Sequence, residues 1–155
     1  MKQVVSMVEK SSTASNCRQA VVACSDPEIR ECLIEVLREL GLQPVSLKTL
    51  EEVELRLARN EAALVFSQPS FCKGSFREVL AAADSSGSGI PVVVCSEFYD
   101  RDLYVEAMGL GAFDYLAFPY SRDEVAWIVT NALSVRSRSR GGWAAGERSR
   151  LKEDA

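Results

Sequence analysis

The apolar positions of this chain fall into two alternating rhythms. Unbroken apolar runs stand at 20–24 (AVVAC), 63–66 (ALVF) and 90–95 (IPVVVC), the form of strands buried on both faces. Between them the apolar residues recur at helical spacing. Ile29, Cys32, Leu33, Val36, Leu37 and Leu40 line one helix, with Asp26 as N-cap, Pro27 as first helical residue and Gly41 as stop. The pattern continues with a strand at 43–47, a helix at 50–60, a strand at 62–67, a loop at 70–75 and a helix at 76–83. Ser85-Ser86-Gly87-Ser88-Gly89 breaks the chain before the strand at 90–95. A helix at 100–108 and a strand at 113–118 follow. Ser121 caps the last helix, with Glu124 completing a capping box and Val125, Ile128, Val129, Ala132 and Leu133 on its apolar stripe. Strand and helix alternate five times with short connections. That rhythm implies an α/β fold: a parallel sheet, helices on both faces and right-handed crossovers.

Composition then narrows the chemistry. The chain has 155 residues and no histidine. That excludes Ser-His-Asp and Cys-His nucleophiles, His-ligated metals and a phospho-histidine of its own. Cysteines stand at 17, 24, 32, 72 and 95, with no C-x-x-C pair. Their number and spacing suit neither a disulfide framework nor a metal knuckle, so they read as reduced core residues. No segment has the length of an apolar membrane span, and the expected location is the cytoplasm. Three segments are expected: a flexible lead-in at 1–17, one domain at 18–134, and a basic tail at 135–155 that is disordered or a fraying helix end. Residues 134–155 hold six Lys/Arg and three Asp/Glu, so the net charge of −4 divides into about −7 for the rest and +3 for this end.

Ligands of open parallel sheets sit beyond the carboxyl ends of the strands. Here those ends bring together Cys24-Ser25-Asp26, Ser67, Ser96 and Phe118. Three segments around them, SDPEIRECLIEVLRELG (25–41), IPVVVCS (90–96) and GLGAFDYLAFPYSRDEV (109–125), resemble the receiver domain of bacterial response regulators. The resemblance covers roughly 18–134. It implies a flavodoxin-like (βα)5 three-layer sandwich with sheet order 2-1-3-4-5.

In that family two acids after the first strand help hold Mg²⁺, an Asp after the third strand accepts a phosphoryl group, and a Lys after the fifth stabilises its charge. The resemblance aligns the acidic pair with Cys24 and Ser25, the acceptor with Ser67 and the Lys with Phe118. All four differ from the family's residues. The implied protein is a receiver-like signalling domain that is no enzyme, uses no cofactor and binds Mg²⁺ weakly or not at all. Asp26 reads as an N-cap. Ser96 and Tyr115 match the family's switch pair, and Phe118-Pro119, in place of Lys-Pro, is expected to be cis.

The expected function is phosphorylation-independent protein–protein interaction in phosphorelay-type signalling. The partner would be a kinase, a cyclase, a transcription regulator or a second copy. The expected surface is the fourth helix, fifth strand and fifth helix, with Tyr104 and Tyr115 on it. Two alternatives remain: a working receiver with an unorthodox acceptor such as Ser67, and nucleic-acid binding through the basic tail. The acidic balance of the domain opposes nucleic acid, and no membrane partner is expected. A flavin or cobalamin site lacks its loop chemistry in SDPE.

Overall fold

The structure is a computed structural model and describes residues 18–71 and 73–139. The segments 1–17 and 140–155, with Cys17 and Cys72, lie outside the described residues. Five strands build the main sheet: β1 (Gln19–Ala23), β2 (Gln43–Ser46), β3 (Leu64–Ser67), β4 (Val92–Ser96) and β5 (Asp114–Ala117). Five helices alternate with them: α1 (Pro27–Glu39), α2 (Leu50–Ala58), α3 (Phe76–Ser86), α4 (Arg101–Gly109) and α5 (Arg122–Ser139). Every pairing in this sheet is parallel, and the strand order is β2-β1-β3-β4-β5. This is the order implied above.

Strand alternation divides the core into two layers. Val21, Ala23, Val65, Val92, Val94 and Tyr115 face α2, α3 and α4, where Val53, Leu57, Phe76, Val79 and Ala107 meet them. Ala20, Val22, Leu64, Phe66, Val93 and Leu116 face α1 and α5, against Ile29, Leu33, Leu37, Val125 and Ile128. The central strand β3 is buried along its whole length. Its runs of apolar residues on both faces are what a doubly covered sheet requires.

Caps set the helix starts. Asp26 accepts the backbone N–H groups of Glu28 at 2.9 Å and Ile29 at 3.3 Å, so its N-cap role is real. Thr49 and Glu52 form a capping box, and Ser121 and Glu124 form another through bonds of 3.1 and 3.3 Å. Gly87 ends α3 in the left-handed region at φ 69°.

Three boundaries differ from expectation. Helix α3 runs to Ser86 rather than 83, because Ser85 and Ser86 complete its last turn before Gly87. The stretch 70–75 is not a plain loop: Ser70–Phe71 pairs antiparallel with Gly74–Ser75 in a two-residue hairpin. Gly74 permits this, since a Cβ there would stand 3.0 Å from the Leu50 Cβ and 3.3 Å from the Phe71 ring. Helix α5 continues past the apolar stripe that ends at Leu133 to Ser139, within the stretch read as disordered or a fraying helix end. Arg is a good helix former and Ser a passable one, so SVRSRS carries no stop signal.

Candidate functional site

The carboxyl ends of β1, β3 and β4 open into one cleft of about 490 Å³. Ser25, Asp26, Gln68, Pro69, Ser96 and Glu97 are among its walls. The sheet dictates this placement: parallel strands put all their carboxyl ends on one edge, and the loops that leave there converge.

Gln68 is the centre of the cleft. It is the first residue beyond β3, and only 7% of it is exposed. Its Oε1 accepts the backbone N–H of Ser25 at 2.7 Å, the backbone N–H of Asp26 at 3.0 Å and the Ser25 hydroxyl at 3.3 Å. The β1–α1 loop is thereby fastened to β3 through one amide oxygen. Ser67, expected at the acceptor position, is fully buried and donates its hydroxyl to the Gln68 carbonyl oxygen at 3.0 Å. Neighbouring positions along an extended chain point to opposite sides. Of these two residues it is therefore Gln68 that lines the cleft, while Ser67 is turned into the core.

The other expected positions resolve as follows. Cys24 is buried, with its Sγ 3.6 Å from that of Cys95 across β3. Both are free thiols, as is half-buried Cys32. The sulfur contact with Cys24, followed by burial, pushes the Cys95 thiol well above its ordinary value. Ser25 is exposed at the cleft mouth. Phe118 is half-buried and meets Tyr120 edge-on at 5.6 Å between ring centroids, forming an apolar wall. The Phe118–Pro119 bond is cis. Burial, above all, drives the Tyr120 hydroxyl far above its ordinary range, and it donates to the Ile29 carbonyl oxygen at 3.1 Å.

Ser96 and Tyr115 do come together. Their hydroxyl oxygens are 2.7 Å apart. The Ser96 hydroxyl donates to the Phe98 carbonyl oxygen at 2.6 Å, and the Tyr115 oxygen accepts the Asp100 N–H at 3.3 Å. Tyr115 is only 9% exposed, and its ring meets Tyr99 and Tyr104 nearly at right angles, at 5.9 and 5.8 Å. The hydroxyl thus holds the β4–α4 loop from the inside. Tyr115 was expected on a partner surface. The structure places it within the core edge, with half-buried Tyr104 leaning on it. Among the described residues the exposed aromatics are Phe98, Tyr99 and Trp127.

Sequence reasoning passed over Glu97. Its carboxyl hydrogen-bonds that of Asp26 across the cleft, which holds Glu97 above its ordinary 4.5. Asp26 sits below its ordinary 3.8, chiefly because the Ile29 N–H bonds it, with Glu97 and the Glu28 N–H adding to the effect. The signs separate the pair. Glu97 favours the folded state below pH 4.5, and that contribution fades as pH rises through its elevated value. Asp26 favours the folded state above 3.8 and loses that contribution as pH falls through its depressed value. A carboxyl-carbon NMR titration should show Glu97 taking its proton above pH 4.5 and Asp26 only below 3.8. In Glu97→Ala the Asp26 midpoint should move upward. Two midpoints at the ordinary values would show that the carboxyls do not meet.

No protein-family model matches the chain. It is 25% identical over 120 residues to the response regulator protein PilR of Pseudomonas aeruginosa, and 26% identical over 118 residues to the C4-dicarboxylate transport transcriptional regulatory protein DctD of the same organism. These matches cover 77% and 76% of this chain but 27% and 26% of those proteins, so the chain spans about a quarter of their length. Its fold is that of a response regulator receiver domain protein from Clostridium thermocellum, with a TM-score of 0.68 at 19% identity, covering 77% of this chain and 96% of that one. The same holds for the BeF3-activated N-terminal receiver domain of Klebsiella pneumoniae RstA, with a TM-score of 0.66 at 16% identity, covering 74% and 97%. The described residues have the fold of response regulator receiver domains. The resemblance puts two acids, an Asp and a Lys at Cys24, Ser25, Ser67 and Phe118, and of the residues after β3 it is Gln68 that lines the cleft. Among the described residues no helix is long and apolar enough to cross a membrane.

Proposed function

We propose that this chain is a receiver-like module of two-component signalling that acts by protein–protein contact and accepts no phosphoryl group. The observation that carries this reading is Gln68. Its amide stands where an attacking carboxylate is needed, and its oxygen is already held by two backbone N–H groups and a hydroxyl. An amide oxygen with those partners is a poor nucleophile. Ser67 offers no substitute, since its hydroxyl is buried and engaged. Cys24 and Ser25 supply no hard carboxylate oxygens for Mg²⁺, and Phe118 supplies no charge. Asp26 spends one carboxylate oxygen on the helix cap.

The inward Tyr115, bonded to Ser96, supports a loop kept in one arrangement without a phosphate. The partner-facing surface is then built from α4, the edge strand β5 and α5. Among the described residues β5 pairs only with β4, and a groove beside it is lined by Asp114, Asp123, Glu124 and Trp127, the last 57% exposed. Tryptophan is enriched among interface anchors. The relatives' names make a transcription regulator a natural partner class, with a kinase, a cyclase or a second copy as the others.

A pull-down with the full chain, compared with Tyr104→Ala and Trp127→Ala, tests the surface. Both side chains can be trimmed without opening the deep core. Recovery of the partner should drop by about ten-fold in Trp127→Ala, the loss expected for an interface anchor. Recovery of the same proteins at the same level by both variants would remove this face from the account.

A further inference from the structure

The Gln68 amide leaves one half of its chemistry unused. Its oxygen has three donors, but its Nε2 donates to no described residue, although the side chain is more than nine-tenths buried and lines the cleft. A buried donor without an acceptor is rare and points to a ligand group that belongs there. Around it stand acids from two loops: Asp26 after β1, and Glu97 and Asp100 after β4. Asp26 and Glu97 already face each other across the opening. Among the described residues none of these three acids forms an ion pair, and Lys73, in the adjoining groove, does not reach them. Phe98 lines the same cleft with 67% of its surface exposed.

The cleft therefore presents one N–H donor at its floor, carboxylates on its walls and an open aromatic face at its rim. A phosphoryl group fits this badly, because the walls repel it. A planar cation carrying a nearby carbonyl fits all three. We infer that the cleft is a docking pocket for an arginine side chain of a partner peptide. The guanidinium fork displaces the contact between the Asp26 and Glu97 carboxyls and bridges the two as carboxylates, Phe98 covers its face, and the peptide carbonyl accepts the Gln68 Nε2–H. This rests on the reading of the protein as a protein-binding receiver, and it assigns that reading a second contact away from the α4–β5–α5 surface. It also gives Gln68 a purpose that an acidic residue could not serve, since only an amide both anchors the β1–α1 loop and donates to a carbonyl.

The test is NMR titration of the ¹⁵N-labelled full chain with acetyl-Ser-Arg-Ser-Arg-amide. Expected are shifts of the Gln68 side-chain NH₂ pair and of the Asp26 and Glu97 amides. Glu97→Gln, an exposed change that leaves the cap intact, should weaken binding about ten-fold through loss of one charge-assisted contact. The lysine analogue should bind more weakly, because an ammonium cannot span two carboxylates as a planar fork does. Equal binding of the lysine peptide, no effect of Glu97→Gln, or shifts confined to other surfaces would each overturn the pocket. A final arm uses Mg²⁺ alone and then Mg²⁺ with beryllofluoride. If Mg²⁺ alone moves the Gln68 pair while the arginine peptide does not, the cleft is a metal site and the inference fails. Beryllofluoride-dependent shifts would instead sink the phosphate-free reading. Silence in every arm would sink the pocket alone.

Discussion

Tyr115→Ala should lower the unfolding free energy by about 3 kcal/mol in urea titration, whereas Tyr115→Phe should lower it by about 1 kcal/mol. The two numbers separate two jobs. The ring fills the edge of the core between Tyr99 and Tyr104, so its removal leaves a cavity at a junction of aromatic contacts. The hydroxyl does something narrower. It stands beside the Ser96 hydroxyl and accepts from the Asp100 N–H, so its loss leaves that N–H without its partner. Hydrogen exchange should report the same division. Tyr115→Phe should speed exchange of the Asp100 amide while the rest of β5 stays protected. Equal costs for both variants would mean that the ring contributes no packing, and unchanged exchange at Asp100 would mean that the hydroxyl does not hold the loop.

Gln68→Leu should cost about 2 kcal/mol and unfasten the β1–α1 loop. Leucine keeps the approximate size but accepts nothing, and two backbone N–H groups, of Ser25 and Asp26, lose their acceptor together. Their amide exchange should rise well above that of Ile29, which retains its Asp26 cap. Gln68→Glu should preserve both bonds, since a carboxylate oxygen can take the place of Oε1, and should therefore stay close to the parent in loop protection. Equal protection of Ser25 and Asp26 in Gln68→Leu would contradict the role of the amide as the fastener of this site.

Much of the fold was legible because burial on both faces leaves a plain trace. β1, β3 and β4 are the apolar runs AVVAC, ALVF and IPVVVC, and their alternation sorts residues correctly between the two core layers. The helix starts were equally readable, since Asp26-Pro27 and Ser121 with Glu124 have few other uses. The site was less legible, and for a physical reason. The run 62–67 is apolar up to Ser67, so periodicity does not say which residue is the first to turn outward. A one-residue step exchanges a buried side chain for a cleft side chain, so periodicity does not tell Ser67 from Gln68 as the residue that lines the cleft. The pairing of Gln68 with the Ser25 and Asp26 amides spans more than forty positions and leaves no local mark. The same holds for the Asp26–Glu97 contact, whose partners lie on different loops. The resemblance marks Tyr115 as a candidate switch position, but the direction of its ring depends on Ser96 and on Phe98, which only the folded sheet brings near.

The central proposal is that this receiver-like chain signals without taking a phosphoryl group. Intact-mass measurement of the full chain after incubation with acetyl phosphate and Mg²⁺, with a phosphorylatable receiver run in parallel, tests it most directly. The account predicts an unchanged mass while the parallel receiver gains a phosphoryl group. A stoichiometric gain of one phosphoryl mass, mapped to Ser67 or to any other residue of the cleft, would contradict it.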